Sequence, residues 1–70
     1  MSKLNYFYFN GQKYSTIELI TVCDIINYFG YESILFVVEY NGYICNEIEW
    51  TKIRIKNNDR IEIITIVGGG

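Results

Sequence analysis

Only one stretch of this 70-residue chain carries the 3.6-residue period of an amphipathic helix. In TVCDIINYFG, residues 21–30, Val22, Ile25, Ile26 and Phe29 fall at i, i+3, i+4 and i+7 and share one face. Thr21 is placed to cap the first turn. Asp24, three positions on, nearly completes a capping box and favours the positive end of the helix. Gly30 is placed to end the helix in the left-handed conformation. A helix this short offers one apolar stripe, so the remaining apolar sequence must form a sheet for it to cover.

The other segments read as strands and tight turns. KLNYFYFN alternates and is rich in aromatics, which predicts a strand over 3–9. Asn10-Gly11 predicts a type I′ hairpin into a second strand over 12–18. ILFVVEY predicts a third strand over 34–40, and its few polar breaks place it centrally, covered on much of both faces. Asn41-Gly42 is a second tight turn before a short strand over 43–45. NEIEWTKIRIKNND reads as a loop with one helical turn over 47–51 and a turn at Asn57-Asn58-Asp59. RIEIITIV predicts a last strand over 60–67. No linker, repeat or low-complexity stretch interrupts this order, so one domain over 1–67 with a thin glycine tail at 68–70 is expected.

The order ββαβ(β)β predicts an α+β fold, a mixed sheet of four or five strands covered by one main helix. If the last strand runs parallel to the first through the middle of the sheet, the topology is a β-grasp, the ubiquitin-like arrangement. A ferredoxin-like or other small α+β sheet is the competitor. Alternation sets Phe7, Phe9, Val38, Tyr40, Ile61 and Ile63 toward the helix. It leaves Tyr6, Tyr8, Leu35, Val37, Ile64 and Ile66 on the other face, where no second helix exists to cover them. An uncovered aliphatic patch of this kind marks a partner surface, with shielding by loops or self-association as the alternative.

Composition narrows the function. Half of the residues are hydrophobic, which suits a packed core. A net charge of −2 leaves no basic face to neutralise phosphates, so nucleic acid is not an expected partner. No apolar run approaches the ~20 residues of a membrane span, and MSKLNYFYFNG lacks the marks of a secretion signal or transit peptide. The chain has 13 Ile, 7 Asn and 7 Tyr but no Ala, Pro or His, the residue set of AT-rich codons. The expected location is therefore the cytoplasm, or the plastid stroma if the chain is organelle-encoded. Without His, the usual general base and commonest metal ligand are missing. Cys23 and Cys45 supply two of the roughly four ligands that a structural zinc site wants, and are expected as reduced, small core hydrophobes. No catalytic residue, metal site or bound cofactor is expected.

The sequence closes on ITIVGGG, and three side-chain-free residues after a strand add little to a fold. They suit a thin, accessible terminus. VVEYNGYICNEIEWTKIRIKNNDRIEIITIVGGG, with its Asn41-Gly42 turn, Trp50, the Asn57-Asn58-Asp59 turn and terminal Gly69-Gly70, resembles the C-terminal half of ThiS. ThiS is the ubiquitin-like sulfur carrier of thiamine biosynthesis. YFNG and TVCDII extend the likeness more loosely across the N-terminal half, while Asn46 and Glu47 stand where that family has proline and arginine.

The resemblance implies a carrier rather than an enzyme. A ThiF-like adenylating enzyme would activate the Gly70 carboxylate with ATP, and cysteine desulfurase-derived sulfur would convert it to a thiocarboxylate. A ThiG-like thiazole synthase would take that sulfur for the thiamine thiazole ring. Gly68 and Gly69 would let the terminus thread into both enzymes. Face counting along the strands, not the resemblance, makes Leu35, Val37, Ile64 and Ile66 the expected partner surface, with the adenylating enzyme meeting Val37, Ile64 and Ile66. On its own the chain is expected to be a monomer. The alternatives are a MoaD-like carrier for molybdopterin, a modifier conjugated to lysines, and an interaction module whose tail plays no part.

Overall fold

The computed structural model describes residues 3–31 and 35–65. Strands β1 (Asn5–Phe9) and β2 (Gln12–Thr16) form the first hairpin. Asn10 and Gly11 hold φ of 52° and 81° between them, the two positive values that a type I′ turn requires. Helix α1 (Val22–Tyr28) follows, then β3 (Phe36–Tyr40), the Asn41-Gly42 turn, β4 (Tyr43–Cys45), a 3₁₀ turn (Glu47–Glu49) and β5 (Asp59–Thr65). The sheet order is β2-β1-β5-β3-β4, with β5 parallel to β1 and antiparallel to β3. This is the β-grasp: one helix across a five-stranded mixed sheet whose last strand lies in the middle.

The helix is fixed at both ends. The Thr21 hydroxyl accepts from the Asp24 N–H at 3.2 Å, and an Asp24 carboxylate oxygen accepts from the Thr21 N–H at 2.9 Å, completing the capping box. Two further first-turn donors, the N–H groups of Val22 and Cys23, reach the carbonyls of Ile53 and Trp50 at 3.0 Å each. The 50–55 loop is thus part of the helix cap, a long-range role that local sequence does not announce. At the other end Gly30 takes φ 76°, and the Tyr31 N–H returns to the Ile26 carbonyl.

Val22, Ile25 and Ile26 press onto Phe7, Phe9, Val38 and Ile61, all buried. Aromatic rings seal the flanks: Phe9 stacks on Phe29 with centroids 4.3 Å apart, and Phe36 on Trp50 at 5.4 Å. Ile63, expected on this face, is partly buried against the same core.

Several expected boundaries shift. β1 begins at Asn5 rather than at 3, because its partner β2 reaches only to Thr16. β2 stops there instead of at 18 because the Thr16 hydroxyl takes the Glu18 N–H at 3.1 Å, a local turn that competes with the ladder. β3 is an interior strand, between β5 and the three-residue β4, but it is not covered on both faces: only its Val38 and Tyr40 face is buried. Its low polarity reflects one covered face and one apolar outer face. Ile34, Ile66 and Val67, expected in β3 and β5, lie outside the described residues, as does the 68–70 tail.

Candidate functional site

β5 is the strand through which the core is wired to the end of the sequence, and three asparagines hold its neighbourhood. The Asn10 N–H donates to the Ile61 carbonyl at 2.9 Å, and its side-chain oxygen accepts from the Ile63 N–H at 2.8 Å. On the opposite edge, the Asn41 N–H donates to the Arg60 carbonyl, and the Asn41 side-chain oxygen accepts from the Arg60 N–H, both at 2.8 Å. Each tight turn therefore extends the pairing of β5 by one side chain. The Asn57 side-chain oxygen accepts from the Tyr6 N–H at 2.8 Å, which fixes the loop entering β5 against β1. Sequence reasoning read all three residues as turn formers only. Their bonding to distant strands has no local signature.

Asp59 opens β5 and is 5% exposed. Its carboxylate accepts from the Tyr40 hydroxyl and the Lys56 N–H, both at 2.7 Å, and from the Asn41 side-chain amide at 3.0 Å. Burial, followed by the hydrogen bond to Asp59 and that group's charge, pushes the Tyr40 phenol above its ordinary pKa. This cluster clamps the start of β5 to the end of β3. Sequence alone read Asp59 as a turn residue, which gives no hint of burial.

The outer face of the sheet divides into two halves. On β2, β1 and the start of β5, Lys13 lies over the Tyr6 ring at 4.5 Å and Arg60 over the Tyr8 ring at 4.6 Å. On β5, β3 and β4, Val37 stands opposite Ile64, and Glu39 stands opposite both Glu62 and Ile44. Leu35 is 69% exposed, Ile64 43% and Ile44 60%, with Val37 half-buried. Of the expected partner surface the structure brings together Val37 and Ile64, whereas Leu35, which precedes β3, borders the cleft beside α1 with Cys23, Ile26 and Asn27. Ile66, Gly68, Gly69 and Gly70 lie outside the described residues. Ile44, Glu39 and Glu62 join the patch without having been anticipated. A three-residue strand such as β4 shows too little alternation to assign its faces, although Glu39 and Glu62 could have been found by extending the parity of β3 and β5.

The remaining chemistry is sparse. Cys45 is buried as expected, and burial, then the nearby Glu49 charge, pushes its thiol up. Cys23 is only half-buried, a correction to its placement in the core. It lines an open cleft of about 410 Å³ with Asn27, Phe36 and Trp50. A second open cleft of about 520 Å³ lies between α1 and β2 and is lined largely by Phe7, Tyr14, Leu19 and Phe29. Neither gathers an acid, a base and a nucleophile at bonding distance. Among the described residues there is no group of three or more Cys, Asp or Glu that could hold a metal ion. Among the described residues no helix is long and apolar enough to cross a membrane. What the molecule offers is a surface, held on a rigid strand that leads toward Gly70.

The topology defines a ubiquitin-like β-grasp protein with an uncovered outer sheet face. The family model for ThiS matches residues 7–70, and the chain belongs to the ThiS family of ubiquitin-like sulfur carriers. A structure of thiamine biosynthesis protein ThiS from Geobacter metallireducens superposes with a TM-score of 0.77 at 20% identity, covering 93% of this chain and 99% of that one. At that identity the likeness is one of fold. Among sequences, "Uncharacterized protein ycf40" of Trieres chinensis is 56% identical over 64 residues, 91% of this chain and 88% of its own length. The protein with the same designation from Porphyra purpurea is 33% identical over 61 residues, 87% of this chain and 86% of its own length.

Proposed function

We propose that this chain carries sulfur as a C-terminal thiocarboxylate on Gly70 for construction of the thiamine thiazole ring. The observation that carries the reading is the opposed pair of half-buried Val37 and exposed Ile64 on the outer sheet face, built on the clamped strand whose chain continues to the glycines. A protein that acts on the terminus must rest beside it, and this is the uncovered apolar face on that strand.

The chemistry asks little of the carrier's own side chains. The Gly70 carboxylate, ionised at neutral pH, attacks the α-phosphorus of ATP in a ThiF-like enzyme, and pyrophosphate leaves. The terminal sulfur of a desulfurase-derived persulfide then displaces AMP from the acyl carbon to give an acyl disulfide, and a thiol cleaves its S–S bond, leaving the thiocarboxylate and a disulfide. A ThiG-like synthase consumes it. ATP belongs to the activating enzyme, and the carrier holds no cofactor. Gly68 and Gly69 let the chain enter a narrow site, where docking of the domain supplies the positioning. The AT-rich composition and the ycf40 designation of its relatives support a plastid setting over a cytoplasmic one.

The test is intact-mass spectrometry of the chain after incubation with ATP, a bacterial ThiF-type enzyme and a sulfide source. Replacement of one oxygen by sulfur is expected, and it should vanish in a chain lacking Gly70. An unchanged mass, with an enzyme that converts its own carrier in parallel, refutes the reading. Ile64→Asp should depress adenylation without unfolding the domain, and undiminished adenylation would remove the outer face from the docking surface.

A further inference from the structure

Glu39 and Glu62 occupy directly opposed positions in the β3–β5 ladder, on the uncovered face. Like charges so placed destabilise a sheet. The two cations on that face do not relieve them: Lys13 is held over Tyr6 and Arg60 over Tyr8, on the far side of β5 from β3. Beside the acid pair lie the opposed Val37 and Ile64, and Ile44 flanks Glu39 from β4. Two carboxylates framed by aliphatic side chains form a socket for a cation carried on an apolar stem. Arginine and lysine have that construction.

Resting on the reading above, we propose that Glu39 and Glu62 are the specificity determinants of docking, and that they receive an arginine or lysine of the adenylating enzyme between them. Charge complementarity selects that occupant. An enzyme that must hold both the polyphosphate of ATP and the carrier's carboxylate presents positive potential around its entrance. An acidic carrier face beside the incoming tail is steered toward it. The arrangement also explains why a repulsive pair is kept on an otherwise apolar surface: the repulsion is relieved in the complex and persists in the free carrier, so it favours association.

The experiment is ATP–pyrophosphate exchange by a bacterial ThiF-type enzyme, with the carrier concentration varied at low and high salt. The parent chain is compared with Glu62→Lys, Glu39→Lys/Glu62→Lys and Glu39→Gln/Glu62→Gln. Glu18→Lys, beside the cleft between α1 and β2, is the charge-matched control for Glu62→Lys. We expect KM for the carrier to rise on the order of tenfold in the double reversal and less in the double amide, with kcat nearly unchanged. The salt dependence of KM should flatten in both doubles, and Glu18→Lys should match the parent. Thermal midpoints should hold or rise in Glu62→Lys and the double amide, which remove the repulsion, and stay near the parent in the double reversal, which exchanges one like-charged pair for another; this separates lost docking from lost folding.

If the parent exchanges normally and the reversals keep its KM and salt dependence, the acid pair is not the determinant, although the carrier reading stands. If the parent supports no exchange, both fall together. Sedimentation velocity of the parent supplies the remaining outcome. A dimer that dissociates on double reversal would assign the pair to a second copy, with Lys13 and Arg60 as its counter-charges, and would overturn the proposal.

Discussion

Replacing Asp59 with alanine should cost a large part of the stability of this domain. The carboxylate accepts three hydrogen bonds, from the Tyr40 hydroxyl, the Lys56 N–H and the Asn41 amide, at 2.7, 2.7 and 3.0 Å. Bonds to a charged acceptor contribute about 1.5–3 kcal/mol each when buried, and donors left behind carry a desolvation cost. Lys56 and Asn41 are partly accessible and recover some bonding to water, whereas Tyr40 is 5% exposed and recovers little. The net loss is therefore about 3 kcal/mol. A domain of this size has roughly 3.5–10 kcal/mol in total, at ~0.05–0.15 kcal/mol per residue. The thermal midpoint should drop by roughly 12–24 °C, from ~4–8 °C per kcal/mol in small domains.

Differential scanning calorimetry and urea denaturation followed by Trp50 fluorescence are the assays. Tyr40→Phe should lose about 1.5 kcal/mol. The Asp59→Ala/Tyr40→Phe double variant should fall short of the sum by about 1 kcal/mol, because the two changes remove the same bond. A loss below about 1 kcal/mol for Asp59→Ala, or strict additivity in the double variant, would refute the clamp.

Stability should also decline in alkali. Tyr40 and Cys45 are both raised by burial, so the fold keeps their protons while the unfolded chain releases them above roughly pH 10 and 8.5 respectively. Their contribution is complete below those values and is lost as pH rises past them. Urea midpoints that fall from pH 8 upward, and fall less in Tyr40→Phe above pH 10, are expected, and a flat profile would count against it. Thr21→Ala removes the side-chain half of the helix cap and should cost about 1 kcal/mol, read as a shift in urea midpoint with unchanged slope.

The sequence by itself determined the local elements, and for a local reason. The turns at Asn10-Gly11 and Asn41-Gly42 depend on backbone angles that few residues adopt, and the capped helix from Val22 to Tyr28 depends on contacts three and four residues apart. Alternation then assigned Phe7, Phe9, Val38, Tyr40 and Ile61 to the buried face, because a strand has only two sides. Tertiary structure decided everything that depends on register between distant strands. It set β5 at the centre of the sheet, and turned Asn10 and Asn41 into hydrogen-bonding partners of that strand. It buried an aspartate that reads as a turn residue, and set Glu39 against Glu62 beside Val37 and Ile64. A slip of one residue between β3 and β5 would have turned one strand's set away from the other's. Register is fixed by the core as a whole, so the two residues that define the proposed recognition site became neighbours only when the chain folded.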